Sequence, residues 1–444
     1  MSFTSPVFLF AFLPLTVIVY QLARSTKLKN AVWIAAGLLF YAFGNLRHLP
    51  LLLGSCLLHY GAGRYLMART KARRAVLLSC VTLDLAVLAF YKVRGALPLG
   101  ISFYTFQAIS YVADTYKNPA DGTKNLREAL QYLTFFPQLT AGPFLKFSAL
   151  RPYLDRRETT WEKNAQGVRR FVCGLCKKAL LSTAAAKLAD AMFSLASIDA
   201  LGAWTGALSY CLQLYFYFSG YSDMALGLGL LFGVQLPENF RYPYCAGSVT
   251  EFWRRWHMTL SGWFRDYVYI PLGGSRKGRA RTVFNKLLVF LATGLWHGTG
   301  WTFVLWGLWH GAFCGAETLL DRNKTLKTHW YGHVYTLLVV IFGFVLFRAE
   351  SVPQALMLLR TMLSGFTPVD ACRLALRNLL TAGTVFWCLA GVLACLPLWE
   401  HAKARFGGSR WLSAVLDTLT IVGLLLCLMQ LASHSFQPFI YASF

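Results

Sequence analysis

The sequence predicts an all-α protein, a polytopic transmembrane helical bundle with roughly ten to thirteen membrane elements. Hydrophobic residues make up 56% of the 444-residue chain, and charged residues only 14%. A soluble surface needs roughly 25–35% charged residues, so much of this surface must face lipid. The apolar residues also gather in runs close to the ~20 residues of a spanning helix. Because no second domain, long linker or repeat interrupts them, we expect residues 1–444 to form one membrane domain.

The apolar stretches follow one another along the whole chain. In order, they lie near residues 6–23, 31–44, 49–66, 75–91, 98–113, 127–141, 167–187, 203–232, 283–299, 300–319, 333–348, 378–397 and 411–431. Several are too short or too polar to cross a bilayer as simple helices, so we expect some to be re-entrant or short. The first stretch is not led by a basic region, which predicts a retained helix rather than a signal peptide.

The charge of the chain is strongly basic, with 43 Lys and Arg against 19 Asp and Glu. The basic clusters lie between apolar runs, as in the cytoplasmic loops of membrane proteins. No nucleic-acid-binding module accompanies them, so no nucleic-acid partner is expected. Basic loops at 24–29 and 69–74 flank a loop at 44–50 that holds a single Arg. This alternation predicts an external N-terminus.

Sequence motifs for metal or covalent catalysis are missing. Most of the 11 cysteines lie inside apolar runs, which is typical of packing. Cys173 and Cys176 form one CxxC pair, and the lysines that follow favour a helix face near the membrane surface over a redox or zinc site. No HExxH or GxSxG motif occurs, so neither a metal nor a serine nucleophile is expected.

The stretch 237–281 is too charged for hydrocarbon and too aromatic for an ordinary loop. Its aromatic residues, Trp256 among them, suit a membrane interface. Glu251 and Arg255 are four residues apart and can pair on a helix. The glycine-rich loop that carries Arg276 and Lys277 could rest on anionic headgroups or hold the phosphates of a donor such as coenzyme A. Composition favours the headgroups.

Two WHG triplets, 13 residues apart, place His297 and His310 in apolar surroundings. An ionisable residue at membrane depth is a candidate functional residue. On one straight helix the two rings would be rotated by about 1300°, so we do not expect them to form one site. Glycines around His297 permit close approach or a broken helix. His297 could be a lone general base that deprotonates a hydroxyl, or a buried structural histidine. Asp223 is a further candidate, with the alternative that it is a polar packing residue.

These stretches contain long, ordered motifs that span roughly residues 97–311. They read SFYTFQAISYVADTY from Ser102, FFPQLTAGP from Phe135, FYFSGYSDMALG from Phe216, PENFRYPYCAGSVTEFWRRWHMTLSGWFRDYVYIPLGG from Pro237 and GLWHGTGWTFVLWGLWHG from Gly294. Here the sequence resembles the membrane-bound O-acyltransferases. Within this family the sequence resembles a bacterial branch, which contains the alginate O-acetyltransferase membrane subunit and the D-alanyl transfer protein of teichoic acid synthesis. The resemblance places the family core at about 97–320.

The resemblance implies a helical bundle around a central cleft, with a cytoplasmic donor tunnel and an outer acceptor cavity. It makes His297 the catalytic general base, and His257 the residue that orients the reacting groups. The implied donor is acetyl-CoA or another acyl thioester. The implied acceptor is a cell-envelope polysaccharide (alginate-like, cellulose or peptidoglycan), reached through a secreted or periplasmic partner protein. The implied location is multi-pass in the cell (inner or plasma) membrane, in contact with its lipid.

We also predict supporting or substrate-binding residues around this site. They are Trp296, Asp223, Arg254, Arg255, Trp256, Asp266, His310 and Tyr441, with Arg276 and Lys277 as donor-binding residues. Tyr441 belongs to the C-terminal PFIYASF, which departs from the FIY-type motif of this branch after the tyrosine, so its hydroxyl could relay the acyl group or merely pack. Three alternatives stay open: D-alanyl transfer to teichoic acid, a lipid-linked sugar transporter or flippase, and a scaffold with a decayed site.

Overall fold

The computed structural model describes residues 1–68, 71–140, 142–321, 323–407 and 409–433. Every regular element in these ranges is helical, which confirms the predicted all-α class. The α-helices, in chain order, are α1 Leu13–Leu22, α2 Thr26–Ala42, α3 Leu49–Met67, α4 Arg73–Arg94, α5 Ile101–Lys117, α6 Leu126–Leu133, α7 Phe136–Leu139, α8 Phe147–Asp155, α9 Trp161–Cys176, α10 Thr183–Ser194, α11 Ala200–Leu231, α12 Val249–Arg255, α13 Met258–Phe264, α14 Gly278–His297, α15 Trp301–Leu319, α16 Asn323–Thr328, α17 Trp330–Arg348, α18 Val352–Ser364, α19 Asp370–Leu379, α20 Ala382–Ala394, α21 Leu398–Phe406 and α22 Arg410–Ser433.

Shorter helical turns connect or extend these helices. π-helical turns lie at Phe8–Phe12, Lys177–Ser182 and Arg265–Tyr269, and 3₁₀ turns lie at Leu46–His48, Pro119–Asp121 and Pro243–Cys245. The π turn at Phe8–Phe12 leads directly into α1, so the first apolar stretch is one continuous helical segment.

Membrane-crossing helices can be recognised by length and composition within the described ranges. Three helical stretches, Arg73–Arg94, Trp330–Arg348 and Trp411–Ala432, are long and apolar enough to cross a bilayer. The pair Asp370–Leu379 and Ala382–Ala394 qualifies jointly but bends by 86°, as a broken span or re-entrant loop does. One further apolar helical segment, Phe8–Leu22, is shorter than a span. The number of ten to thirteen membrane elements stays a prediction.

Close contacts divide the described chain into two units. Unit 1 contains residues 1–172 and 221–238, and unit 2 contains residues 173–220 and 239–432. Helix α11 contributes its first part to unit 2 and its last turns to unit 1.

In unit 1, the loops that connect the first helices lie at two ends of those helices. The N-terminus, the turn at 43–45 and the segment 97–103 line one cavity of about 600 Å³, where the Met1 amino group donates to the Phe43 carbonyl at 3.2 Å. At the other ends, Arg73 donates to the Tyr116 carbonyl at 2.6 Å. The alternation of sides inferred from the basic loops stays a prediction, as does the side that faces the cytoplasm.

Two polar pairs, each with a buried carboxylate, connect helices of unit 1. The Nε2 atom of His59 on α3 lies 2.8 Å from Oδ2 of Asp84 on α4. Arg170 on α9 donates twice to Oδ1 of Asp223, from Nε at 2.9 Å and from Nη2 at 2.7 Å. Nη2 also lies 2.7 Å from Oε2 of Glu238. Paired charges of this kind are what burial of ionisable groups requires.

Candidate active site

A helical hairpin in unit 2 carries His297. Helix α14 ends at this residue, and α15 begins at Trp301 after a three-residue break. Gly298 takes an extended conformation at the break, and a Cβ there would lie 2.2 Å from the Phe303 ring. The broken helix that the glycines of the first WHG triplet predicted is therefore present. It places the imidazole at a helix end, with 7% of the residue exposed.

Glycines let the two helices of this hairpin approach backbone to backbone. Gly307, Gly311 and Gly315 recur every four residues on α15 and face α14. A Cβ on Gly307 would lie 2.4 Å from the Phe290 carbonyl, and one on Gly294 would lie 2.3 Å from the Phe303 carbonyl. Small residues at this spacing are typical of close helix packing in membranes.

Aromatic side chains surround the His297 ring. The rings of Trp296, Trp306 and Phe347 lie with their centroids 4.9, 5.2 and 5.1 Å from it, all edge to face. Phe347 comes from α17, which packs against α15. The imidazole is therefore held in one orientation by packing from three sides.

His257 lies at an elbow between two short helices, α12 and α13. Its backbone is in the left-handed region, with φ of 45° and ψ of 51°, which is uncommon for a residue other than glycine. The segment lies between the apolar stretches rather than within one. Burial lowers the pKa of His257 to about 3, so the imidazole is neutral near pH 7.

Helix α12 is anchored at both ends. Ser248 caps its N-terminus by accepting from the Glu251 nitrogen at 3.1 Å, and Glu251 accepts in turn from the Gly247 nitrogen at 3.1 Å. Glu251 also pairs with Arg255 at 2.7 Å, which confirms the predicted four-residue pairing. The buried carboxylate of Glu317, on α15, accepts from the nitrogen of Val249 at 2.7 Å. This bond ties the elbow to the hairpin.

His257 and His297 line the same cavity, whose volume is about 910 Å³. Its floor and walls are aromatic and aliphatic, with Trp253, Trp256 and Phe290 among them. Four of its charged residues are basic and two are acidic: Arg254, Arg265, Arg279 and Lys286, with Glu317 and Asp321. The cavity therefore holds two imidazoles in a mostly apolar lining whose charged residues are mainly basic.

His310 is fully buried beside this cavity but does not line it. Its ring packs edge to face on Trp253 at 5.0 Å and on Trp306 at 5.3 Å. Neither ring nitrogen has a hydrogen-bond partner within the described ranges. Trp306 separates the two histidines of the WHG triplets, because it contacts both rings.

The other predicted site residues fall into three groups. Arg254 and Trp256 line the cavity. Asp223 lies in unit 1, in the ion pair with Arg170. Trp296, Arg255 and Asp266 are next to lining residues in the sequence but do not line the cavity themselves. Trp296 packs on His297, Arg255 pairs with Glu251, and Asp266 pairs with Arg265 at 2.8 Å.

The glycine-rich loop borders the cavity, but its two predicted donor-binding residues do not line it. Arg276 and Lys277 are exposed, whereas their neighbours Ser275, Gly278 and Arg279 line the cavity. Tyr269 fixes the loop through a hydrogen bond of 2.8 Å to Ser275. Tyr441 lies outside the described residues.

Metal and disulfide chemistry find no support in the described ranges. No group of three or more His, Cys, Asp and Glu side chains there is placed to hold a metal ion. All 11 cysteines are free, and Cys176 lies 3.6 Å from Cys427 rather than joining Cys173.

Sequence reasoning missed three supporting features of this site. Glu317 is a lone carboxylate in an apolar helix, and such a residue predicts a buried partner. The spacing of Gly307, Gly311 and Gly315 was readable as a helix-packing pattern. Asn239 accepts a hydrogen bond from the start of α13. It belongs to the motif that begins at Pro237, but it was not singled out from the sequence.

Comparison with known proteins gives one family match and three relatives. The chain matches the model of the membrane-bound O-acyltransferase family over residues 117–358. It is 36% identical to the probable alginate O-acetylase of Pseudomonas putida over the full length of both chains. It is 36% identical to the peptidoglycan O-acetyltransferase of Helicobacter pylori over 84% of this chain and 81% of the relative. It is 27% identical to the teichoic acid D-alanyltransferase of Bacillus subtilis over 57% and 69%.

Proposed function

The chain belongs to the membrane-bound O-acyltransferase family, and from that premise we propose that it moves an acetyl group from cytoplasmic acetyl-CoA across the membrane for O-acetylation of a cell-envelope polysaccharide. One observation supports this most directly: His257 and His297 line a single cavity whose charged residues are mainly basic. The two histidines are far apart in sequence and lie on different helical segments. Their convergence on one cavity is what a shared site for an acyl donor and a hydroxyl requires.

His297 is the proposed general base. It takes the proton of the acceptor hydroxyl while the oxygen attacks the carbonyl carbon of the acetyl thioester. The C–O bond forms as the C–S bond breaks, the thiolate of coenzyme A leaves, and the proton from His297 returns to it. Packing of Trp306 and Phe347 on the ring fixes its direction, so that little reorganisation accompanies the transfer.

His257 is the proposed orienting residue. Because burial lowers its pKa to about 3, it stays neutral and offers one N–H donor and one acceptor nitrogen. A neutral donor beside the thioester carbonyl stabilises the negative charge that develops on its oxygen. The left-handed elbow directs this ring into the cavity rather than along a helix surface.

The phosphates of the donor fit the basic side of the cavity. Arg254, Arg265 and Arg279 line it, and guanidinium groups bind phosphate oxygens through paired hydrogen bonds. These residues, rather than the exposed Arg276 and Lys277, are the proposed donor-binding set. The two loop residues remain available for anionic headgroups.

Acetyl transfer is favoured over D-alanyl transfer by the relatives. The relatives named for O-acetylation match this chain over most or all of its length, whereas the D-alanyltransferase of Bacillus subtilis matches 57% of it. We propose a multi-pass location in the inner or plasma membrane, with a periplasmic or secreted partner that receives the acetyl group. Family membership favours an acyltransferase over a sugar transporter.

The test uses purified protein in liposomes with acetyl-CoA labelled in the acetyl group. Oligomannuronate, a peptidoglycan fragment and a polyol phosphate serve as acceptor probes, with and without a membrane extract that supplies the partner. We expect covalent label on a sugar hydroxyl. His297→Ala should lower the transfer rate at least about 100-fold, whereas the matched change at the exposed His401, His401→Ala, should not.

Three results would contradict the proposal. Movement of a sugar across the membrane without covalent acetylation would favour the transporter. Full activity of a folded His297→Ala protein would remove His297 as the base. Label appearing only with a D-alanyl thioester as donor would replace acetyl by D-alanyl.

A further inference from the structure

The elbow that presents His257 is held by a short extended segment, residues 239–241. The nitrogen of Arg241 donates to the carbonyl of Arg255 at 2.9 Å, on one side of the elbow. The nitrogen of Met258 donates to the carbonyl of Asn239 at 2.9 Å, on the other side. The two bonds bracket Trp256 and His257. The bracket fixes the direction in which the chain enters and leaves the elbow.

The Asn239 side chain adds two bonds of its own. Its Oδ1 atom accepts from the nitrogen of Thr259 at 3.1 Å and from Oγ1 of Thr259 at 3.0 Å. The residue is only 2% exposed, so these bonds are shielded from water. Helix α13 begins at Met258, and its first nitrogens have no partner within the helix. Asn239 therefore caps the N-terminus of α13, although it lies 19 residues before the helix in the sequence.

His257 is in the position where such a cap would normally stand, and its own side chain makes no cap hydrogen bond. A left-handed conformation of a residue other than glycine persists only where its surroundings over-determine it. The hydrogen bonds to Asn239 supply that constraint, and Phe240 packs on the imidazole with centroids 6.2 Å apart. Asn239 caps the helix instead, and the imidazole lines the cavity.

We infer that Asn239 is a positioning residue for acyl transfer, which acts by holding the elbow so that His257 faces the reacting groups. The inference rests on the proposed function, because it concerns the orientation of one of its two histidines. Asn239 does not line the cavity, so it has no contact with substrate to lose. Any effect on the reaction passes through the elbow, and the inference assigns it to His257.

The experiment is a double-mutant cycle on acetyl transfer in liposomes, with kcat and KM for acetyl-CoA measured separately. Asn239→Leu removes the acceptor at similar volume, and His257→Asn removes the imidazole with a residue that tolerates the left-handed region. We expect Asn239→Leu to lower kcat about 10- to 100-fold with little change in KM. In the His257→Asn background the same change should cost less than about 3-fold, because the residues act as a unit.

Matched variants separate positioning from folding. Asn239→Asp keeps the acceptor oxygen and should retain most of the activity. Asn125→Leu removes an equivalent cap, since Asn125 accepts from the Arg127 nitrogen at 3.0 Å at the start of α6 in unit 1, and it should leave kcat unchanged. If Asn239→Leu does not fold, Thr259→Val removes one of the two side-chain bonds and should show the same coupling to His257 on a smaller scale.

The outcomes are distinguishable. If the wild-type protein transfers no acetyl group, the proposed function fails before the cycle begins. If the wild-type protein is active and His257→Asn is not impaired, both the role of His257 and the inference are overturned. If His257→Asn is impaired but Asn239→Leu and Thr259→Val cost the same factor in both backgrounds, only the inference fails, and Asn239 is merely structural.

Discussion

The carboxylate of Glu317 accepts a hydrogen bond of 2.7 Å from the backbone nitrogen of Val249, the first residue of α12. A second bond of 2.9 Å comes from the nitrogen of Thr250. A carboxylate at a helix N-terminus satisfies nitrogens that have no partner in the helix and complements the helix dipole. Through this contact the hairpin that carries His297 holds the helix that leads to His257.

Replacing Glu317 should therefore loosen the elbow. Glu317→Ala leaves two buried N–H groups without an acceptor, at a cost of about 1–3 kcal/mol each. Glu317→Gln keeps one acceptor oxygen and should lose less. The measurement is the thermal unfolding midpoint in detergent, with acetyl transfer recorded in parallel. Equal midpoints for Glu317→Ala and the wild-type protein would show that the bond does not stabilise α12.

Adding a methyl group inside the hairpin should disturb His297. A Cβ on Gly307 would lie 2.4 Å from the Phe290 carbonyl, so Gly307→Ala must push α14 away from α15. Overpacking of this kind costs about 1–3 kcal/mol, and we expect acetyl transfer to fall with it. Gly61 on α3 is the control, because a Cβ there meets nothing within 4 Å. Gly61→Ala should be neutral or slightly stabilising, and an equal loss in both variants would refute the packing explanation.

The His59–Asp84 pair should matter for stability rather than for chemistry. Removing one partner of a buried pair leaves the other uncompensated, so Asp84→Leu should cost about 3–5 kcal/mol. The double change His59→Leu with Asp84→Leu removes both polar groups and should recover much of that loss. Unfolding midpoints of the single and double variants test this. A double variant less stable than Asp84→Leu would mean that the two residues do not act as a pair.

His257 should make the protein less stable in mild acid. Its pKa is about 3 when folded and 6.5 in an exposed chain, so below pH 6.5 only the unfolded state takes up the proton. Stability from this group is present above pH 6.5 and is lost as the pH falls towards 3. Between pH 6.5 and 5 the loss is about 2 kcal/mol. Unfolding midpoints of the wild-type protein and His257→Asn should converge over this interval, and parallel curves would contradict the low pKa.

Donor binding should depend on the cavity rather than on the exposed loop. Arg254→Gln removes a guanidinium that lines the cavity, and we expect KM for acetyl-CoA to rise about 10-fold, as for the loss of one hydrogen bond to a charged group. The control is Arg276→Gln with Lys277→Gln, which removes two exposed charges of the loop. We expect that double variant to keep its KM and to bind liposomes of anionic lipid less tightly. A change of KM only in the loop variant would show that Arg276 and Lys277, rather than Arg254, bind the donor phosphates.

Local patterns predicted several parts of the site correctly. The pairing of Glu251 with Arg255 followed from helical spacing alone, and the glycines around His297 indicated the break between α14 and α15. Both features depend on residues within one turn of each other, where backbone geometry is set by nearest neighbours. The role of Asp223 could not be read in this way, because its partner Arg170 lies on another helix.

By itself, the sequence determined the all-α class, the membrane environment and the family, and it picked out His257 and His297 as the candidate histidines. Composition and ordered motifs suffice for these, since they depend on which residues are present and in what order. Only the tertiary structure decided that His257 shares a cavity with His297 while His310 packs behind Trp306. That division depends on how α14 and α15 fold back on each other and on the left-handed elbow before α13. The first is set by the close contacts of Gly294 and Gly307 across the hairpin, and the second by the hydrogen bonds of Asn239 around the elbow. Both depend on partners more than one turn away along the chain.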